Sequence, residues 1–290
     1  LTDQWNFITT NGATIDQYWT RTAQMNRREM LKGPLAAGLA GLMNKREPVM
    51  ANNLNAEANH YYELRTYELR NDLQPGRTTA YFEQHLIPAL KRAGVGTIGA
   101  FTVVSGQRTP GLILLLDHRT LADLQGTMER LDADKELKSA TEAFESSGQP
   151  PYVRYETALL RAFDAHPRPE VPPTDARRQP RLFELRTYES KTPTSLRRKI
   201  DMFNQEEIKI FRDCGFANIF FGEMVIGPRM PNLTYLVGYD DMAAREKAWD
   251  TFRVNPDWLR IKGRQEWADS EVVSNISASF LRPTGFSQIR

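Results

Sequence analysis

The hexapeptide Glu63-Leu64-Arg65-Thr66-Tyr67-Glu68 returns as Glu184-Leu185-Arg186-Thr187-Tyr188-Glu189, an offset of 121. At that same offset Phe82 falls on Phe203, Gln84 on Gln205, Gly94 on Gly215, Gly106 on Gly227, Arg108 on Arg229 and Pro110 on Pro231. The register holds without a gap from residues 62–161 against 183–282. Most positions differ between the copies, yet no loop has changed length, so whatever one copy folds into, the other must fold into as well.

Within a copy the pattern is legible. Residues 61–69 alternate bulky and charged side chains, which reads as a strand with Tyr62, Leu64 and Thr66 on one face and Glu63, Arg65 and Tyr67 on the other. Residues 78–93 carry Phe82, Leu86, Ala89, Leu90 and Ala93 at helical spacing and stop at Gly94. Pro88 inside that run predicts a kink. Strands are expected at 97–104 and at 112–117, where an unbroken aliphatic run implies burial on both faces. Helices at 121–131 and 134–146 and a last strand at 152–161 complete the unit. The second copy repeats this order with strands at 182–189, 218–226, 232–239 and 272–282 and helices at 199–214, 242–252 and 256–268.

A β-α-β-β-α-β unit is a ferredoxin-like plait, whose sheet carries helices on one face and leaves the other bare. Two copies in one chain can cover both bare faces by packing sheet to sheet. The expected fold class is therefore α+β, two tandem modules forming an intramolecular barrel with helices outside and a narrow space between the sheets. The expected boundaries are an N-terminal extension at 1–58, modules at 59–163 and 181–290, and a linker at 164–180 that holds five prolines.

Composition narrows the function classes. A net charge of +2, without a long Lys/Arg run, lacks the electrostatic footprint of a nucleic-acid binder. The single cysteine, Cys214, can form neither an internal disulfide nor a thiolate cluster, and its place on the helical core stripe reads as a buried thiol. Near the N-terminus Met25-Asn26-Arg27-Arg28-Glu29-Met30-Leu31-Lys32 precedes a mildly apolar stretch over 33–43, too short to span a bilayer. This pairing resembles a twin-arginine export signal, with Met30 and Asn26 departing from the usual pattern. It implies an exported protein; the alternative is a cytoplasmic one with an irregular N-terminal arm.

The opening strand Tyr62-Glu63-Leu64-Arg65-Thr66-Tyr67, the helix leading to Ala93-Gly94 and the later Asn255-Pro256-Asp257-Trp258 resemble the NIPSNAP family of the dimeric α/β-barrel superfamily. The resemblance implies the fold more than a reaction. It implies binding of a small molecule or a protein through the intersheet cavity or an outer surface, with homo-oligomerisation open. The rival it leaves is a cofactor-light oxygenase acting on an aromatic or quinone-like compound, or a haem-handling enzyme.

If Leu64 and Leu185 face the helices, then Glu63, Arg65, Tyr67, Glu184, Arg186 and Tyr188 line the space between the sheets. There Arg would grip a carboxylate or phosphate, Tyr would donate a hydrogen bond and Glu would act as base. The competing expectation is an ion-pair ladder, Glu of one copy to Arg of the other, that only fixes the register of the sheets. Of the four histidines, at 60, 85, 118 and 166, no pair has metal-site spacing. No metal or cofactor is expected, His85 being the one candidate for a haem because helical histidines ligate haem in some relatives of the superfamily. Trp249, Trp258 and Trp267 are expected to pack against helices, and no phosphate loop, nucleophile elbow or catalytic acid pair is present.

Overall fold

The alternation of the repeated hexapeptide is realised as strand β1 (Tyr61–Glu68) in the first copy and β5 (Leu182–Glu189) in the second. The structure, a computed structural model, describes residues 58–146, 148–174 and 179–290. The export motif at 25–43 lies outside them. No described helix is long and apolar enough to cross a membrane.

Each copy then supplies a helical layer, a hairpin and a closing strand. In the first these are α1 (Gln74–Tyr81), a π-helical turn over Phe82–Leu86, α2 (Ile87–Arg92), β2 (Ile98–Ser105), β3 (Gly111–His118), α3 (Leu121–Ala133), α4 (Lys135–Glu145) and β4 (Arg154–Ala162). In the second they are α5 (Pro193–Met202), a π turn over Phe203–Glu207, α6 (Ile208–Asp213), β6 (Ala217–Ile226), β7 (Asn232–Tyr239), α7 (Met242–Val254), α8 (Pro256–Lys262), a 3-10 turn at Gln265–Trp267, α9 (Asp269–Val272) and β8 (Asn275–Pro283). The two π turns sit at equivalent positions. Pro88 follows the first, but Lys209 stands in its place in the second, so the distortion belongs to the repeat and the proline is not its cause.

Gly94 and Gly215 end their helices for a stated reason. Both adopt positive φ, 83° and 92°, which an L side chain resists. That conformation lets Val95 N–H donate to Leu90 O and Phe216 N–H to Phe211 O, closing both helices with paired reverse bonds. The Phe211 and Phe216 rings stack 4.6 Å apart across the second of these turns.

The strands do not form two separate sheets. They close into one barrel in the order β1-β3-β2-β8-β5-β7-β6-β4, all neighbours antiparallel. Seams β2–β8 and β4–β6 join the copies, each with a register shift at a bulge, near Val103 and Leu159. Inside the barrel, Tyr62, Leu64, Phe101, Ile113, Leu115 and Leu160 of the first copy pack on Phe183, Phe220, Met224, Leu236 and Leu281 of the second, with Leu185 against them. Two further cores lie between barrel wall and helices, one around Tyr67, Phe82 and Leu114, the other around Tyr188, Phe203 and Tyr235. Residues 164–174 form no strand of the barrel. They are strapped to it by His60 N–H on Pro167 O, Glu170 N–H on Ile219 O and the buried His166 ring, whose Nε2 lies 3.0 Å from Ile219 O.

Candidate functional site

The barrel corrects the location expected for the repeated polar residues. Leu64 and Leu185 point inward, so the pleat turns Glu63, Arg65, Tyr67, Glu184, Arg186 and Tyr188 outward, beneath the helices. The space between the sheets is therefore an apolar core, with a cavity of only about 80 Å3 at one mouth, where Thr66, Thr187 and Thr234 join Leu64 and Leu185. Nor does a ladder run between the copies. Each Glu pairs with the Arg two residues along its own strand: Arg65 Nε reaches Glu63 Oε1 at 2.5 Å and Arg186 Nη1 reaches Glu184 Oε1 at 2.5 Å. Residues i and i+2 share a strand face, so a Glu-x-Arg repeat satisfies itself once the face is buried.

Beneath the second copy's helices this polar set is sealed. Glu184, fully buried, accepts Arg245 Nε and Nη2 at 3.0 and 3.1 Å, Tyr239 OH at 3.2 Å and Trp249 Nε1 at 3.2 Å, in addition to Arg186. The Trp249 ring lies under the Arg186 guanidinium, 4.7 Å from Cζ to centroid. Deeper, Lys199 Nζ meets Glu207 Oε2 at 3.0 Å, both side chains 1–2% exposed, with the Tyr188, Phe203 and Trp258 rings 5.0–5.7 Å from the ammonium. Burial raises the Glu184 carboxyl, and Arg245 with Arg186 more than reverse this, so it is held ionised.

Beneath the first copy's helices the same offset gives different residues. Met128 stands for Trp249, Leu124 for Arg245, Thr78 for Lys199, Leu86 for Glu207 and His118 for Tyr239. The stopper is missing, and a cleft of about 270 Å3 opens between the barrel wall and the helices. Glu63, Arg65, Tyr67 and Thr157 form its floor, Phe82 and Leu86 of the π turn and Met128 of α3 its sides, and Tyr81, Phe144, Tyr152 and Tyr155 an aromatic wall. These last four replace Met202, Gln265, Val273 and Ile276 of the second copy. The wall is ordered: Tyr81 stacks on Phe144 at 4.2 Å and 4°, its hydroxyl 2.6 Å from Thr141 Oγ1, and Tyr155 stacks on Tyr67 at 5.3 Å.

At the floor, burial pushes the Glu63 carboxyl up, but His118, Arg65 and Thr157 outweigh it and hold it at about 2, an anion at any ordinary pH. Burial pushes the Tyr67 hydroxyl up to about 12 against the pull of Arg65, which keeps it a neutral donor. His118, 2% exposed, does not line the cleft, and its Nε2 lies 3.8 Å from Glu63 Oε2.

The NIPSNAP profile matches residues 62–150 and 183–288, more than half of the sequence and one match in each copy. The chain belongs to the NIPSNAP family. No curated protein matches it in sequence. Among solved structures, a candidate monooxygenase from Lactobacillus acidophilus NCFM is similar with TM-score 0.52 and 10% identity, covering 78% of this chain and 94% of the other. A candidate monooxygenase from Fusobacterium nucleatum is similar with TM-score 0.50 and 6% identity, covering 78% and 93%. At those identities the likeness is one of fold. A NIPSNAP family protein of unknown function from Agrobacterium tumefaciens shares 20% identity over 36% of this chain and 87% of its own, with TM-score 0.30.

Of the residues singled out in the sequence, the first copy of the NIPSNAP repeat brings Glu63, Arg65 and Tyr67 together in the open cleft, and the second brings Glu184, Arg186 and Tyr188 into the sealed network. His85 does not line the cleft; it is half-buried on the π turn, its ring 5.9 Å from that of Tyr81. Cys214 is a buried thiol, near Asn255 Nδ2 at 3.8 Å, and burial raises it, which keeps it unreactive. Trp258 and Trp267 are core residues, but Trp249 fills a site. Sequence reasoning missed Met128, Phe144, Tyr152 and Tyr155 because it compared the copies where they agree. The signal lay where they differ.

Proposed function

We propose that this NIPSNAP chain binds a small planar molecule in the cleft between the barrel wall of its first copy and the helices α1, α3 and α4. The observation that carries the reading is the contrast between the copies. The same position is stoppered by Trp249 and Arg245 in one and left open behind Met128 in the other, where four aromatic residues have been gathered around it. A concave, mainly apolar site with a few polar groups converging at its floor is the usual form of a small-ligand pocket. Aromatic walls favour a ring that stacks or meets them edge-on.

Catalysis in the same cleft is a second reading, favoured by an ionised carboxylate, Glu63, beside a neutral hydroxyl donor, Tyr67, at the floor. The candidate monooxygenases that share this fold make an oxygenase the class to assay first.

The test is to close the cleft. Met128→Trp copies the second half's stopper and is expected to abolish binding of naphthalene and 2-naphthol, followed by ligand-detected NMR, while leaving the thermal midpoint unchanged or higher. Binding that persists in this variant rejects the site.

A further inference from the structure

The sealed half shows what the open half lacks. An ionised carboxylate offers about four lone-pair directions. On Glu184 all are used: Arg186 Nη1 and Arg245 Nη2 reach Oε1, and Arg245 Nε, Tyr239 OH and Trp249 Nε1 reach Oε2. On Glu63, Oε1 accepts Arg65 Nε at 2.5 Å and Thr157 Oγ1 at 3.0 Å, while Oε2 accepts Arg65 Nη2 at 3.0 Å alone. Leu124 and Met128 carry no donor to replace those of Arg245 and Trp249, and His118 Nε2 stops at 3.8 Å. One lone pair of a partly buried anion is left over, at the side where the indole N–H of Trp249 arrives in the other copy.

We propose that the ligand of the first-half cleft is an aromatic molecule with a hydroxyl on the edge of its ring, lying where the Trp249 side chain lies in the second half and donating that hydroxyl to Glu63 Oε2. The inference rests on the cleft being a binding site and adds the chemistry of its occupant. Glu63 is only an acceptor, so the ligand atom facing it must donate, which excludes carbonyl and ether oxygens, and a carboxylate would meet like charge. A cationic amine would satisfy Glu63 but would also face Arg65. A hydroxyl on the ring edge supplies that one donor. The ring itself would then lie along the aromatic wall of Tyr81, Phe144 and Tyr152.

Three probes of equal ring size separate the claims: 2-naphthol, 2-methoxynaphthalene and 2-naphthoate, titrated into the full chain by ligand-detected NMR. The expected order is 2-naphthol tighter than 2-methoxynaphthalene by about ten- to a hundredfold, the range of one hydrogen bond to a charged group, with 2-naphthoate weakest. Glu63→Gln, which replaces the anionic acceptor by a neutral amide, is expected to shrink the preference for 2-naphthol severalfold. Equal binding of 2-naphthol and 2-methoxynaphthalene, with both lost in Met128→Trp, would overturn the hydroxyl inference and leave the cleft standing. If no probe binds the wild-type chain, the cleft reading fails and takes the inference with it.

Discussion

Replacing Glu207 by Leu, the residue that stands in its place in the first copy, isolates what the buried pair of the second copy contributes. Lys199 and Glu207 are 1–2% exposed and 3.0 Å apart. Once the carboxylate is gone, the Lys199 ammonium keeps a contact to Met202 Sδ at 3.4 Å and the faces of three rings. Stranding a buried charge costs about 3–5 kcal/mol, of which the rings return roughly 1–2. A net loss of about 1–4 kcal/mol is therefore expected for Glu207→Leu. In Lys199→Met/Glu207→Leu no charge remains, and apolar replacement of a whole buried pair is often neutral or stabilising, so the double variant should lie within about 1 kcal/mol of wild type. Urea unfolding of the three variants and the wild type completes a double-mutant cycle, with a coupling energy of at least about 2 kcal/mol expected. Additive single effects, or a single variant costing under about 1 kcal/mol, would refute the argument that the pair is held by mutual need.

Three other outcomes are expected. Glu63 is held at about 2 in the folded chain against an ordinary 4.5, so its contribution is present above pH 4.5 and lost as pH falls toward 2. It amounts to about 3 kcal/mol, and acid unfolding of Glu63→Gln should lack that part of the slope. Trp249→Met with Arg245→Leu copies Met128 and Leu124 into the second half, removes three of the donors to Glu184 and leaves a hollow where the indole packed, so it should cost about 2–4 kcal/mol in urea unfolding. Tyr62 OH is buried in the barrel without a hydrogen-bond partner, so Tyr62→Phe should leave the melting midpoint unchanged or raise it, by up to about 1 kcal/mol in stability.

The order of strands and helices was legible because local physics sets it. Period-two alternation marks 61–68 and 182–189, an aliphatic run marks β3, and Gly94 and Gly215 mark helix ends that need a left-handed residue. Which face of β1 turns inward was not legible. Both faces are buried, Leu64 against the other copy and Tyr67 against Phe82, so alternation separates the two sets without ranking them. A buried charge does not need a polar cavity when its partner lies on the same strand face. Glu63 and Arg65 neutralise each other at i and i+2, which lets them sit between sheet and helix. Pro88 reads as the disturbance in its helix, whereas the equivalent π turn at Phe203–Glu207 forms without a proline. The site itself was half visible: its floor is the repeated hexapeptide, but its wall comes from Tyr81, Phe144, Tyr152 and Tyr155, which touch only after the chain has folded.

Closing the barrel within a single chain has a consequence for how such a protein can change. Were its two halves supplied by identical subunits, any alteration of one cleft would be forced on the other. Here the covalent join breaks that compulsion. One half is free to fill its hollow with tryptophan and arginine and serve as ballast, while its sibling keeps a vacancy.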